Sequence, residues 1–351
     1  MAKVLIVDDS ALVRRQLSEL IASAGYEIDV AKNGQEAVEK VMAGNFDAVT
    51  MDINMPVMDG LTAVKIIMKE KPTPILMISS LTTDEAEVTL EALDLGAVDY
   101  VAKPGTMSVR VDVTGEDILT KLAAITKIPK NRLLLRRAAS KTVARIAEGS
   151  RQEAAIVRSN NFDKVILIGA STGGPGLIEE ICKSLPANYP YPVCVVQHMP
   201  ERFTATFAQR LARVSSIEVK ESEDGEELTS GRVYIAKGGS HLHFAKKVSG
   251  KIVIKHSPNE NKRFFVPSVD EMFESGVKVL GAKKILGVLL TGIGDDGAEG
   301  MVAIKKGGGH TIAESEETAT VFGMPREAIT RGGAVEVLPF GQIPRKIVAF
   351  K

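Results

Sequence analysis

Short aliphatic runs alternate with longer stretches of helical period from the start of the chain. Val4–Val7 is followed by Ala11–Ala24, Ile28–Val30 by Gln35–Ala43, Ala48–Met51 by Leu61–Lys69, Pro74–Ser79 by Glu85–Leu93, and Val98–Val101 ends the series. Strands and helices in alternation predict a doubly wound parallel sheet, whose ligand crevice lies at the carboxyl ends of its strands. A second alternation begins at Val165–Ile168, with a helix near Leu177–Ser184, a strand Val193–Gln197 and a helix Phe203–Ala212. Strand-like runs follow at Ile217–Lys220, Arg232–Ile235 and Ile252–Ile254, then a helix Val269–Val279, a buried strand Ile285–Leu290, a helix Ala298–Lys305, and strands His310–Ala313 and Val335–Leu338. The fold class is therefore α/β, two doubly wound parallel-sheet domains, the second with a small antiparallel hairpin around residues 232–254.

Between the two series the pattern breaks. Residues 121–160 spread Lys127, Lys130, Arg132, Arg136, Arg137, Lys141, Arg145, Arg151 and Arg158 through Ala, Leu and Ile, interrupted by Pro129 and Gly149. This reads as a partly helical linker with a basic face. The 351-residue chain carries 44 basic and 44 acidic residues, but the balance hides segregation: residues 1–104 hold 9 basic and 17 acidic (net −8), and 121–160 hold 10 and 2 (net +8). Without aromatics interleaved among the cations, nucleic acid is not an expected partner. Two cysteines, Cys182 and Cys194, exclude a disulfide scaffold and read as buried filler. No stretch approaches the length of a membrane span and the N-terminal apolar run is too short for a signal peptide, so the expected address is the cytoplasm, and no membrane insertion is expected.

In the first series the strands end in Asp8-Asp9, Asp52, Ser79 and Lys103-Pro104. Strand ends converge on one face of a parallel sheet, so these residues should meet. Three clustered carboxylates call for a hard divalent cation such as Mg²⁺, and a hydroxyl with a lysine opposite them suits a phosphoryl group. The set Val7-Asp8-Asp9-Ser10, Met51 to Pro56, Asp59-Gly60, Ile78-Ser79-Ser80 and Lys103-Pro104 resembles the receiver domain of two-component response regulators, across essentially residues 1–120. The resemblance implies a flavodoxin-like domain in which Asp52 accepts a phosphoryl group from a histidine kinase. Asp8, Asp9, Asp52 and the backbone carbonyl of Asn54 would ligate Mg²⁺, and Ser79 and Lys103 would contact the phosphoryl oxygens.

In the second series Val165–Ile168 runs into Gly169-Ala170-Ser171-Thr172-Gly173-Gly174-Pro175. Gly-x-Ser-x-Gly between strand and helix lifts a serine onto a tight turn beside backbone N–H groups that can stabilise an oxyanion. The next strand ends at His198, within reach of that serine as a base. The strand Ile285–Leu290 delivers Asp295-Asp296, two carboxylates either of which could orient the imidazole. The order Ser, His, Asp differs from that of the α/β-hydrolases, so the shared elbow reads as convergent. His241 and His243 form a His-x-His pair with no neighbouring ligand to complete a metal site, which favours surface or packing roles.

Gly-Ala-Ser-Thr-Gly-Gly, Val-Val-Gln-His-Met-Pro, Pro267-Ser268-Val269-Asp270 and Thr-Gly-Ile-Gly-Asp-Asp-Gly-Ala together resemble the catalytic domain of chemotaxis protein-glutamate methylesterases. With the receiver, the resemblance covers nearly the whole chain, and implies a receiver at 1–120, a linker at 121–160 and a Rossmann-like serine methylesterase domain at 161–351. It maps the catalytic triad onto Ser171, His198 and Asp296, with backbone oxyanion-hole donors at Thr172 and Ile293 and no cofactor at the esterase site. The implied function is phosphorylation-activated removal of methyl groups from glutamate esters of chemoreceptors, with deamidation of receptor glutamines as a second reaction. The chain departs from the family pattern at Ile293 (often Met), Val266 (often Arg) and Lys237 (often Pro), with Arg263 as a stand-in for the missing guanidinium. Two other classes compete: a response regulator whose second domain only binds receptors or another signalling partner, and a hydrolase of an unrelated ester.

Overall fold

The computed structural model describes residues 1–80, 82–103, 111–129 and 159–351. The chain divides into two compact units, one within residues 1–137 and the other within 138–351. The cations expected at Lys130 to Arg158, and Pro104, lie outside the described residues. No helix among the described residues is long and apolar enough to cross a membrane.

In the first unit five strands, β1 (Lys3–Val7), β2 (Glu27–Ala31), β3 (Ala48–Asp52), β4 (Ile75–Ser79) and β5 (Asp99–Ala102), alternate with α1 (Ala11–Ser23), α2 (Gly34–Ala43), α3 (Gly60–Glu70), α4 (Thr83–Leu95) and α5 (Val111–Ile125). The order β2-β1-β3-β4-β5 is parallel throughout. β3 and β4 are buried along their whole length, as continuous aliphatic runs between two helical layers must be. Short polar side chains start the helices: Ser10, Asn33, Asp59 and Thr82 each accept the N–H of the third residue onward. α5 carries buried Leu122 and Ile125, so its apolar face continues past residue 120.

The second unit runs β6 (Val165–Ala170), α6 (Gly174–Ser184), β7 (Val193–Gln197), α7 (Glu201–Val214), β8 (Glu218–Glu221), β9 (Arg232–Ile235), β10 (His241–Lys246), β11 (Ile252–Ser257), α8 (Val269–Leu280), β12 (Ile285–Leu289), α9 (Ala298–Lys306), β13 (His310–Glu314), α10 (Met324–Thr330), β14 (Glu336–Leu338) and α11 (Ile343–Ala349). Seven strands form one parallel sheet, β14-β13-β12-β6-β7-β9-β8, and β10 and β11 form a separate antiparallel pair. The hairpin is thus His241–Ser257, whereas Arg232–Ile235 joins the main sheet between β7 and β8. The strand order reverses at β6, the switch point of a doubly wound sheet. The carboxyl ends of β6, β7 and β12 therefore open into one crevice. The core beneath it is aliphatic and aromatic, with Val165, Leu167, Val196, Tyr234, Val269, Phe273 and Leu289 among its members.

Candidate active site and phosphoacceptor site

In the second unit, sheet register brings serine and histidine together. Ala170 pairs with Gln197 across β6 and β7, and His198 N–H donates to the Ala170 carbonyl at 3.0 Å. Ser171 and His198 are therefore the next residues on adjacent strands, which lie ~4.8 Å apart. On the other side Ser171 N–H donates to the Thr291 carbonyl at 3.0 Å, tying the elbow to the end of β12. The turn after Ser171 needs glycine: Gly173 has φ +81°, and a Cβ there would stand 2.6 Å from Thr320. A Cβ on Gly292 would lie 2.8 Å from the Ser171 Cβ, so that glycine keeps the space beside the nucleophile open. Ser171 itself is 5% exposed.

The imidazole is held on two sides. His198 Nε2 lies 2.8 Å from Asp296 Oδ2, and its ring stacks on Phe265 with centroids 3.9 Å apart and planes 13° from parallel. Nδ1 is buried and has no hydrogen-bond partner among the described residues. An Asp on Nε2 fixes the proton there and leaves Nδ1 as the basic nitrogen.

Asp296 is set by helix geometry. Its Oδ1 accepts Ser268 Oγ at 2.7 Å and Asp270 N–H at 3.0 Å, and its Oδ2 accepts Val269 N–H at 2.7 Å beside His198. These are the cap and first two residues of α8, whose N-terminus favours an anion. Burial pushes the carboxyl up, but His198 and the α8 N–H groups outweigh it and hold the pKa down at about 2. Of the two neighbouring carboxylates Asp296 meets His198, whereas Asp295 is exposed and pairs with Arg331 at 2.5 Å. Sequence reasoning missed the reciprocal arrangement. Asp270, in the first turn of α8, accepts Gly300 N–H in the first turn of α9 at 2.8 Å, so a carboxylate of α8 caps α9 while Asp296, from the loop that leads into α9, caps α8.

The remaining candidates fall around this centre. Thr172 follows the nucleophile, its carbonyl held by Thr291 Oγ1 at 2.8 Å; Ile293 follows Gly292, and its N–H has no acceptor among the described residues. Arg263 is paired with Glu271 at 2.9 Å and Glu274 at 3.8 Å, so its guanidinium is already engaged within the fold. Val266 accepts Gly239 N–H, and Lys237 lies 3.5 Å from Glu201. His241 is buried; its Nδ1 accepts the Ser268 N–H at 3.1 Å and its Nε2 meets Asn259. His243 sits between Glu271 and Ser257. Phe265 carried no sequence signal, because a ring in an irregular loop belongs to no periodic face.

In the first unit the strand ends converge as the topology requires. Lys103 Nζ lies 3.1 Å from Asp8 Oδ2 and 2.9 Å from Asp52 Oδ2. Asp8 and Asp52 are buried, Asp9 is exposed, and ligand atoms of all three lie within 4.8 Å of one another. A Cβ on Gly60 would stand 2.0 Å from the Asp52 carbonyl, so only glycine lets α3 start against β3. Burial, ahead of any pairing, pushes the Asp52 carboxyl up to about 6; the Lys103 ammonium opposes that rise, and Asp8 and Asp52 hold Lys103 protonated against its own burial. One ammonium cannot neutralise three carboxylates, and the paired Oδ2 atoms of Asp8 and Asp52 accept no hydrogen bond of good geometry among the described residues. This donor set fits a divalent cation. Ser79 and Asn54 turn elsewhere: both donate to Glu85, Ser79 Oγ at 3.1 Å and Asn54 Nδ2 at 2.9 Å.

Comparison with known proteins finds relatives of both units. Residues 166–347 match the CheB methylesterase family and residues 4–112 the response regulator receiver domain. A protein-glutamate methylesterase/protein-glutamine glutaminase 2 of Carboxydothermus hydrogenoformans is 50% identical over 351 residues, 99% of this chain and 98% of the relative. A protein-glutamate methylesterase/protein-glutamine glutaminase of Archaeoglobus fulgidus is 44% identical over 353 residues, 99% of this chain and 97% of the relative. The crystal structure of the Thermotoga maritima CheB methylesterase catalytic domain, 41% identical, superposes with TM-score 0.52 and covers 54% of this chain and 100% of its own. With a buried serine and an aspartate-held histidine at the switch point of its second sheet, and an acidic pocket closed by lysine in its first, the chain belongs to the CheB methylesterase family and carries a response regulator receiver domain.

Proposed function

We propose that the protein is a cytoplasmic, phosphorylation-activated hydrolase of glutamate 5-methyl esters on methyl-accepting chemotaxis receptors, and that it also deamidates receptor glutamines. The observation that carries this reading is the imidazole of His198, fixed at Nε2 by Asp296 while Nδ1 has no partner among the described residues, at the end of the strand that pairs with the one leading into Ser171. Ser171 Oγ attacks the ester carbonyl and its proton passes to His198 Nδ1. Backbone N–H groups of Thr172 and Ile293 receive the developing oxyanion. Collapse breaks the bond to the methoxy group, which leaves as methanol with the proton from His198. Water, deprotonated by the same nitrogen, then hydrolyses the acyl-enzyme to free glutamate and serine. With a glutamine the leaving group is ammonia and every other step is shared. Asp296 stays ionised throughout and stabilises the imidazolium, and this chemistry asks for no metal.

On this reading residues 1–120 are the receiver, 121–160 a basic linker and 161–351 the esterase. Asp8, Asp9, Asp52 and the Asn54 carbonyl would hold Mg²⁺, which when bound offsets the charge of phosphoryl oxygens. Asp52 takes the phosphoryl group from the phosphohistidine of a chemotaxis kinase, with Ser79 and Lys103 at its oxygens. Phosphorylation of Asp52 shifts the population toward a state in which the esterase is active. Methanol release from methylated receptor tests the esterase reading. Ser171→Ala should release none, and a fluorophosphonate probe should label the wild-type chain at Ser171 alone; undiminished release by the variant would remove the assignment.

A further inference from the structure

A carboxylate already engages the donors at the end of β4. Thr82 caps α4, its Oγ1 accepting Glu85 N–H at 3.3 Å. A glutamate at this position ordinarily turns back to the N–H of the cap residue. Glu85 reaches toward the phosphoacceptor pocket instead. Its Oε2 accepts Ser79 Oγ–H at 3.1 Å and Ser80 N–H at 2.6 Å, and its Oε1 accepts Asn54 Nδ2 at 2.9 Å. The β3–β4 register pairs Asp52 with Ile78, one residue before Ser79. The donors from Ser79, Ser80 and Asn54 thus come from the end of the strand that bears Asp52 and from the end of its neighbour. Two oxygens sharing a negative charge, bonded to hydroxyl, amide and backbone N–H donors beside the acceptor aspartate, reproduce the contacts a phosphoryl group on Asp52 would seek.

We propose that Glu85 is a further functional residue of the phosphoacceptor site: an internal occupant of donors that bind phosphoryl oxygens, which must leave before a phosphoryl group on Asp52 can use them. The inference rests on the receiver reading given above. The Ser79 hydroxyl and the Ser80 N–H each have one hydrogen, so neither serves two anions at full strength. Phosphorylation therefore exchanges the charge-assisted bonds to Glu85 for bonds to phosphoryl oxygens. The released carboxylate also frees the first turn of α4 from the ends of β3 and β4, which couples the occupancy of Asp52 to the position of that helix.

The test uses the full chain with Mg²⁺ and two probes: beryllofluoride, an anion that mimics a phosphoryl group on aspartate, followed by ¹⁹F NMR, and acetyl phosphate, followed by intact mass. In the second, an Asp52 oxygen attacks phosphorus and acetate leaves with the electron pair of the broken P–O bond. Glu85→Ala and the near-isosteric Glu85→Gln should each bind beryllofluoride about tenfold more tightly and phosphorylate about tenfold faster than wild type, the effect of removing one to two charge-assisted competitors. Thr82→Ala, which loosens the α4 cap but leaves the Glu85 carboxylate, should change neither by more than about twofold. If wild type binds the anion and the Glu85 variants bind it equally or more weakly while folded by circular dichroism, Glu85 is a structural brace and the inference is overturned. If wild type binds no beryllofluoride and resembles Asp52→Asn in taking no phosphoryl group, the receiver reading fails and takes the inference with it.

Discussion

Replacing Asp296 with asparagine separates the geometry described here from a generic acidic neighbour. Each carboxylate oxygen accepts a backbone N–H of the α8 N-terminus, Asp270 N–H on Oδ1 and Val269 N–H on Oδ2. Either orientation of an asparagine amide would set its NH₂ group against one of these donors. One buried donor left unsatisfied costs about 1–3 kcal/mol, which for a unit of this size is a fall in Tm of about 2–12 °C. The catalytic effect is larger. With NH₂ toward His198, Nε2 must accept, the ring proton moves to Nδ1, and on the proposed mechanism Nδ1 can no longer take the Ser171 proton. A wrong tautomer in such a triad costs about 10³–10⁴-fold in kcat. The pH dependence follows from the same group. The Asp296 pKa is about 2 in the folded chain against an ordinary 3.8, so its contribution, on the order of 2 kcal/mol, is complete above about pH 4 and is lost as pH falls through about 2. Methanol release and thermal unfolding of wild type and Asp296→Asn from pH 2 to 8 read both effects. A folded variant within tenfold of wild-type kcat, or an unfolding curve with the wild-type acid slope, would refute the account of the imidazole.

Other perturbations test single contacts. Phe265→Ala removes the ring stacked on His198 and should lower kcat about tenfold with KM nearly unchanged, with Phe265→Tyr restoring most of it; equal losses in both variants would contradict a stacking role. Gly173→Ala places a Cβ in left-handed backbone 2.6 Å from Thr320 and should cost about 1–3 kcal/mol of stability and abolish probe labelling of Ser171, read by thermal melts and intact mass. Lys103→Ala leaves Asp8 and Asp52 without their ammonium and should slow phosphorylation by acetyl phosphate at least about tenfold while leaving the unstimulated esterase rate unchanged. Neutralising Arg132, Arg136 and Arg137 should weaken the salt dependence of activation by phosphodonor, measured as methanol release between low and high ionic strength.

The two sheets and the groups at their strand ends were legible because they depend on local rules. A buried parallel strand reads as an aliphatic run, and topology then delivers whatever follows it to one face; Asp8, Asp52, Ser171 and His198 are placed by that logic alone. What was not legible depends on contacts between distant segments. His241–Lys246 alternates weakly and ends in lysine, so β10 escaped notice, and Arg232–Ile235 was drawn into the hairpin although β7 claims it. The stack of Phe265 on His198, the reciprocal caps of Asp270 and Asp296, and the turn of Glu85 away from its own helix cap are each set by the docking of one element on another. The residues alone left Asp295 and Asp296 open and the resemblance pointed to Asp296; the contact of Asp296 with the α8 N-terminus is what spacing does not reveal.

On the proposed reading, phosphorylation at Asp52 governs serine chemistry at Ser171 in one chain. Methanol released from methylated receptor, measured with and without acetyl phosphate and Mg²⁺ for wild type and Asp52→Asn, tests it most directly. The account predicts a severalfold or greater rise for wild type and none for Asp52→Asn at the same basal rate. Equal stimulation of both proteins, or no methanol from either, would contradict it.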